Sequence, residues 1–182
     1  MKSHAWEQIL TAGTAVLTAA GDMPQAVAAI GSGVQLIDLW QAGNGTADAV
    51  RDRYPGVPLC ARADWAALTR DPAAALRTGA LLICAGTAAA EHAGAAGVAR
   101  GRILVEAPPD RAAGLLAAGW AVIVTADDRA GPHAAAALGA IACWLGAAAV
   151  RTGHGAAVRR AIAMTTAIKA GAGWSPGGCA LP

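Results

Sequence analysis

The sequence predicts an α/β fold of TIM-barrel-like (β/α) units, on the evidence of a rhythm and of what fills its intervals. Seven short apolar runs, each ending in a polar or charged cluster, return at intervals of about twenty residues: 14–18, 34–39, 57–61, 80–85, 102–107, 121–125 and 148–151. Alanine-rich, helix-like segments lie between them. Short apolar runs bounded by turn residues read as strands, and strands alternating with helices read as βαβ units. A parallel strand needs a crossover and crossovers are right-handed, so a long series closes into a barrel or opens into a doubly wound sheet. Both architectures gather their chemistry at the C-terminal ends of the strands.

The elements follow in order. After the first strand, Pro24 sits where a proline starts a helix, predicted over 25–30, and 31–33 (Gly-Ser-Gly) turns the chain into the second strand. Thr46 reads as the N-cap of a helix over 47–54, ended by Pro55-Gly56. The third strand leads to Asp64, the expected N-cap of a helix beginning at Trp65. The fourth run precedes an alanine-rich helix closed by Gly97, and the fifth stops at Pro108-Pro109, which cannot continue a ladder. Helices over 110–118, 132–146 and 156–170 complete the series. Seven units are one short of a full barrel, so either a strand hides in the helix-like stretch after Thr87 or the barrel is incomplete. Residues 1–170 read as one barrel domain and 171–182 as a Gly/Pro-rich tail.

Composition excludes several classes. The net charge is +2 with no Lys/Arg block, which argues against nucleic acid and against an anionic membrane surface. The lysines, Lys2 and Lys169, lie away from strand ends, which argues against Schiff-base chemistry. Cys60, Cys84, Cys143 and Cys179 show no Cys-x-x-Cys pairing and read as small buried hydrophobes rather than zinc ligands. The N-terminus lacks a secretory apolar segment, and the apolar stretch 134–150 fits a buried helix running into a strand better than a membrane span. The expectation is a soluble cytoplasmic protein.

Three places carry candidate chemistry. Asp38, near the end of an apolar strand, must be paired or hydrogen-bonded, and serves either to tie a loop or to meet a ligand. Glu106 could accept from a guanidine-like edge of a heterocycle or act as a general base, or face solvent as a rim acid. Arg151, the Gly-flanked turn 152–155 with His154, and the helix after it suit a phosphate, or hold the barrel rim. Asp127-Asp128-Arg129 reads as a solvated turn, and His4, His92 and His133 are isolated, so no metal site is expected.

With these residues laid out, the chain resembles the dihydropteroate synthases. The stretch 96–108 (AGVARGRILVEAP) looks like the family's "AGV…ILIDP" strand, 119–124 (GWAVIV) like its "G-[YW]-P-[VI]-L" strand, and 140–151 with 156–161 like its closing segment; 36–39 (LIDL) is similar to "ADIIDVGG". The resemblance implies a TIM barrel that condenses a dihydropterin pyrophosphate with p-aminobenzoate, Mg²⁺ assisting. It also implies that much of the machinery has been replaced. The loop after strand one is reduced to 18–22, leaving Asp22; the aspartate of "S-V-D-T" falls at Arg62 and the pterin-binding asparagine near Cys84. The catalytic lysine loop becomes 127–129, Glu106 stands for the aspartate of "I-D-P", and Arg151 matches the closing "R-x-H" while His154 is displaced by one. Substrate contacts are therefore expected at Glu106, Arg151, Asp38, Asp22 and His154, for a pterin-like or phosphate-bearing molecule, with no cofactor unless Mg²⁺ serves a retained synthase.

The reading favoured is a non-catalytic or altered-activity homologue acting by self- or hetero-association through the last two helices, around Trp144, Leu145, Ile162 and Ile168. The alternatives are an active transferase of the folate pathway and a small phosphate-binding barrel of unrelated chemistry. An active synthase requires Glu106 and Arg151 to converge with Asp22 or Asp38 within about 8–10 Å.

Overall fold

The computed structural model describes residues 13–62, 64–126 and 128–171. The expected tail beyond Gly171, with Cys179, and His4 at the other end lie outside the described residues. Eight parallel strands close a barrel in sequence order: β1 (Ala15–Ala19), β2 (Leu36–Asp38), β3 (Leu59–Cys60), β4 (Leu68–Thr69), β5 (Leu81–Cys84), β6 (Ile103–Ala107), β7 (Ala121–Thr125) and β8 (Ala149–Arg151). Closure is made where Val16 pairs with Val150 and Leu17 with Arg151. The helices are α1 (Met23–Gly31), α2 (Asn44–Arg53), α3 (Pro72–Thr78), α4 (Thr87–Ala95), α5 (Pro109–Ala117), α6 (Gly131–Leu145) and α7 (Gly155–Gly171).

The barrel is therefore complete, and the seven-unit count missed β4. No strand hides after Thr87, where α4 begins. The extra strand lies where a helix from Trp65 was expected. Asp64 and Trp65 form a turn, Leu68 and Thr69 pair with β5, and the next helix starts only at Pro72. Asp71, not Asp64, is the N-cap, its carboxylate accepting from the Ala73 amide at 2.9 Å. Pro72 follows it in the first turn, where a missing N–H costs nothing. α2 likewise begins at Asn44 with Gly43 as its cap, ahead of the expected Thr46. Asp22 caps α1 through the Gln25 amide, with Pro24 in the first turn as expected.

The strands divide two apolar layers. Inside the barrel lie Leu17, Leu36, Cys60, Leu68, Ile83 and Leu104, among others. Between barrel and helices lie Val16, Ile37, Val124, Val150, Val158 and Ile162, joined by many alanines. Alternation along each strand produces this split, since successive side chains face opposite sides of a sheet. The stretch 134–150 forms most of α6 and then runs into β8, as expected. No helix among the described residues is long and apolar enough to cross a membrane.

Small residues let helices seat closely. A Cβ on Gly155 would lie 2.5 Å from Cγ2 of Val34 and 2.8 Å from Oγ1 of Thr18. Gly155→Ala is therefore expected to destabilise the fold by about 1–3 kcal/mol through overpacking. Gly114, inside α5, has nothing within 4 Å of a Cβ. Gly114→Ala should stabilise by about 0.5–1 kcal/mol. Thermal unfolding of the two variants beside the parent protein checks both signs.

Candidate functional site

Four charged side chains meet at the C-terminal mouth of the barrel. Asp38 ends β2, Arg70 follows β4, Glu106 lies in β6 and Arg151 ends β8. All four come from even-numbered strands, the arrangement in which alternate strands supply one layer of a barrel interior. Around the mouth the charges alternate in sign. Arg70 Nη1 lies 2.8 Å from Glu106 Oε2, and Arg70 Nη2 lies 3.5 Å from Asp38 Oδ2. Arg151 Nε lies 3.1 Å from Asp38 Oδ2, and Arg151 Nη1 lies 3.6 Å from Glu106 Oε1. The result is a closed ring of four ion pairs.

Each acid has a further, uncharged donor. The Trp40 amide donates to Asp38 Oδ1 at 3.0 Å, and the Thr125 hydroxyl donates to Glu106 Oε1 at 2.8 Å. Asp38 is the innermost member, its side chain 1% exposed, while Glu106, Arg70 and Arg151 are 18%, 19% and 27% exposed. The ring thus separates the apolar interior from solvent, with a shallow depression above it at Glu106, Pro108 and Thr125.

The electrostatics follow from this geometry. Burial alone would raise the Glu106 carboxyl, but hydrogen bonds from Arg70 and Thr125 and the charges of Arg70 and Arg151 outweigh it and hold the group below its ordinary value. Burial likewise opposes the charge on Arg70, yet Glu106 and Asp38 raise its affinity for the proton. Beneath the ring, burial and then the negative charge of Asp38 push the Cys60 thiol well above its usual range.

The structure brings together three of the expected residues and leaves two elsewhere. Asp38, Glu106 and Arg151 converge. Asp22 caps α1, and His154 lines a separate cleft between α1 and α7 at the end of β1, with Thr18, Gln25 and Arg160. Cys84, where the resemblance puts an asparagine, packs outside the barrel with Leu82 and Val105 and faces no mouth. Arg62 follows β3 and stacks over Trp40 at 5.2 Å rather than entering the ring. The expected turn at 127–129 contributes a short 3-10 segment, Asp128–Ala130, while Asp127 lies outside the described residues.

Arg70 is the member that sequence reading missed. Placing a helix from Trp65 put it on a helix surface. The signal that could have found it is Asp71-Pro72: an N-cap followed by a first-turn proline makes the preceding residue the end of something else.

No protein-family model and no curated protein matches the sequence. Among solved structures, Rv1207 of Mycobacterium tuberculosis superposes with a TM-score of 0.73 at 22% identity, over 87% of this chain and 92% of that one. A dihydropteroate synthase of Xanthomonas albilineans in complex with 7,8-dihydropteroate gives 0.73 at 11% identity, over 87% and 94%. The dihydropteroate synthase of Yersinia pestis gives 0.72 at 15% identity, over 88% and 94%. The chain thus has the fold of the dihydropteroate synthases at a sequence distance that carries fold alone.

The ring fixes a stability expectation. Asp38→Asn leaves two guanidinium groups facing a neutral amide at a buried position, and should cost about 3–5 kcal/mol by equilibrium unfolding at neutral pH. Glu106 acts through pH. Because its folded value is depressed, its stabilisation is present above the unfolded value of about 4.3 and is lost as pH falls through the lower folded one. Glu106→Gln should therefore be the less stable protein at pH 7, and the gap should narrow in acid. Urea titrations across that range measure the gap directly.

Proposed function

We propose that this chain is a dihydropteroate synthase-like protein that has left the synthase reaction and acts in the cytoplasm by pairing with itself or with an active homologue. The observation that carries the reading is the closed ring: both mouth carboxylates are already held by two arginines. A departing diphosphate needs positive groups with charge to spare, and these two are neutralised in place. The described residues include a single lysine, Lys169, which donates to the carbonyls of Cys143 and Trp144 at the end of α6, remote from the mouth. Magnesium does not fit this donor set either, since each carboxylate faces two cations that a metal ion would have to displace. Among the described residues no group of three acids, histidines or cysteines gathers elsewhere.

The surface supports the second half of the proposal. Ile141, Trp144 and Leu145 on α6 and Met164 and Ile168 on α7 are exposed, the last two at 63% and 53%. They recur at helical spacing on two helices that pack together, which is how an apolar association face is built. Ile162, expected in that face, is instead buried beneath it. The closed barrel removes open-edge pairing as a reason to associate, so the helices carry the argument.

A retained transferase is the second reading, and one observation favours it: Glu106, Arg151 and Asp38 converge as such a reaction requires. Calorimetric titration with a dihydropterin pyrophosphate, with and without Mg²⁺ and p-aminobenzoate, separates the two. The proposal expects no saturable heat. Saturable binding that weakens in Arg151→Ala would favour the transferase. Sedimentation should give a dimer for the chain alone if the partner is a second copy, and Met164→Lys with Ile168→Lys should return it to monomer.

A further inference from the structure

Arg70 stands in the mouth as a ligand stands in a site. Its guanidinium presents two N–H groups along one planar edge to two different carboxylates, Glu106 through Nη1 at 2.8 Å and Asp38 through Nη2 at 3.5 Å. The two donors of the planar fork are thus divided between two acids, one charge-assisted contact to each. The two acids do not owe their positions to Arg70. The Trp40 amide orients Asp38, the Thr125 hydroxyl orients Glu106, and Arg151 neutralises part of the charge on both. Truncating Arg70 would leave a pair of aimed acceptors around a space with the shape and charge of a planar amidinium. Arg70 also rises from just beyond a two-residue strand and is partly exposed, so its head fills the seat from the mouth side.

We propose that Arg70 is an internal ligand: it fills a preformed two-carboxylate seat for a planar amidinium-type group and so closes the mouth to free molecules. This deepens the reading of a closed mouth by naming the residue that closes it and the chemical class it excludes. The seat is defined by the two acids and their neutral donors; the closure is the work of one side chain.

Chemical rescue tests it with methylguanidinium as the probe. Thermal unfolding of the full chain is followed in methylguanidinium chloride against equal sodium chloride, for the parent protein, Arg70→Ala, and Arg70→Ala with Glu106→Gln. Arg70→Ala alone should show a saturable rise in melting temperature at millimolar probe. The parent, its seat occupied, and the double variant, its seat broken, should not respond. An unresponsive Arg70→Ala, or the same shift in all three proteins, would overturn the proposal. Should Arg70→Ala fail to fold alone, its refolding yield is compared in methylguanidinium and in methylammonium, which has the charge without the planar fork. Recovery specific to methylguanidinium supports the seat, and no such recovery overturns it. Since no dihydropterin enters this experiment, its outcome is independent of the titration that tests the function. Binding of a dihydropterin pyrophosphate by the parent would retire the non-catalytic reading, and binding that Glu106→Gln abolished would overturn the closure of the mouth as well.

Discussion

A carboxylate that is 1% exposed cannot be left without partners, and Asp38 sets the terms for the whole mouth of this barrel. It lies at the end of β2 with apolar barrel interior below it, where an unpaired negative charge would cost several kcal/mol. Two guanidinium groups and a backbone amide meet it. Each of those arginines carries a charge that one buried acid does not balance, and Glu106 supplies the balance. Two acids and two arginines in alternation leave none of the four facing an uncompensated neighbour. The electrostatics of the mouth follow from that closure, each charged group being set by the other three.

The rest of the fold is tuned to close approach. A core this rich in alanine draws less from each buried side chain than one built of larger residues, so proximity must compensate. Gly139 permits α6 to meet Val158 of α7, where a Cβ would lie 2.8 Å from Cγ1. Gly155 does the same where α7 enters beside β1 and β2. Lys169 fastens the far end of the helix pair, its ammonium placed where the carbonyls that end α6 gather negative charge. The apolar residues left on the outside of this pair are the part of the surface that its own packing does not use.

Much of this was legible in the residues. All seven predicted runs became strands within two residues of their expected ends, and the run at 121–125 matches β7 outright. Periodicity succeeds there because each run is long enough to show its apolar character. β4 was illegible for the opposite reason: Leu68–Thr69 is too short to display any period, and the alanines around it read as helix. That one omission hid Arg70, and with it the closure of the ring. Asp38, Glu106 and Arg151 were visible because a charge at the end of an apolar run is anomalous on its face. Their mutual pairing was not, because it depends on which strands lie opposite one another. Asp22 could not be assigned from sequence to a cap or to a ligand contact, since the same residue type in the same kind of loop serves either, and the structure places it as the cap of α1.

The barrel can also be seen as two halves, β1–β4 and β5–β8, each bringing one acid and one arginine to the mouth. Within the halves the contacts are the long ones, 3.5 Å for Arg70 with Asp38 and 3.6 Å for Arg151 with Glu106. Across the halves they are the short ones, 2.8 Å for Arg70 with Glu106 and 3.1 Å for Arg151 with Asp38. Each half is neutral at its rim and incomplete alone, and the tighter bonds exist only once the two have come together. The ring is thus a clasp between hemispheres, its two shortest contacts each joining one half of the barrel to the other.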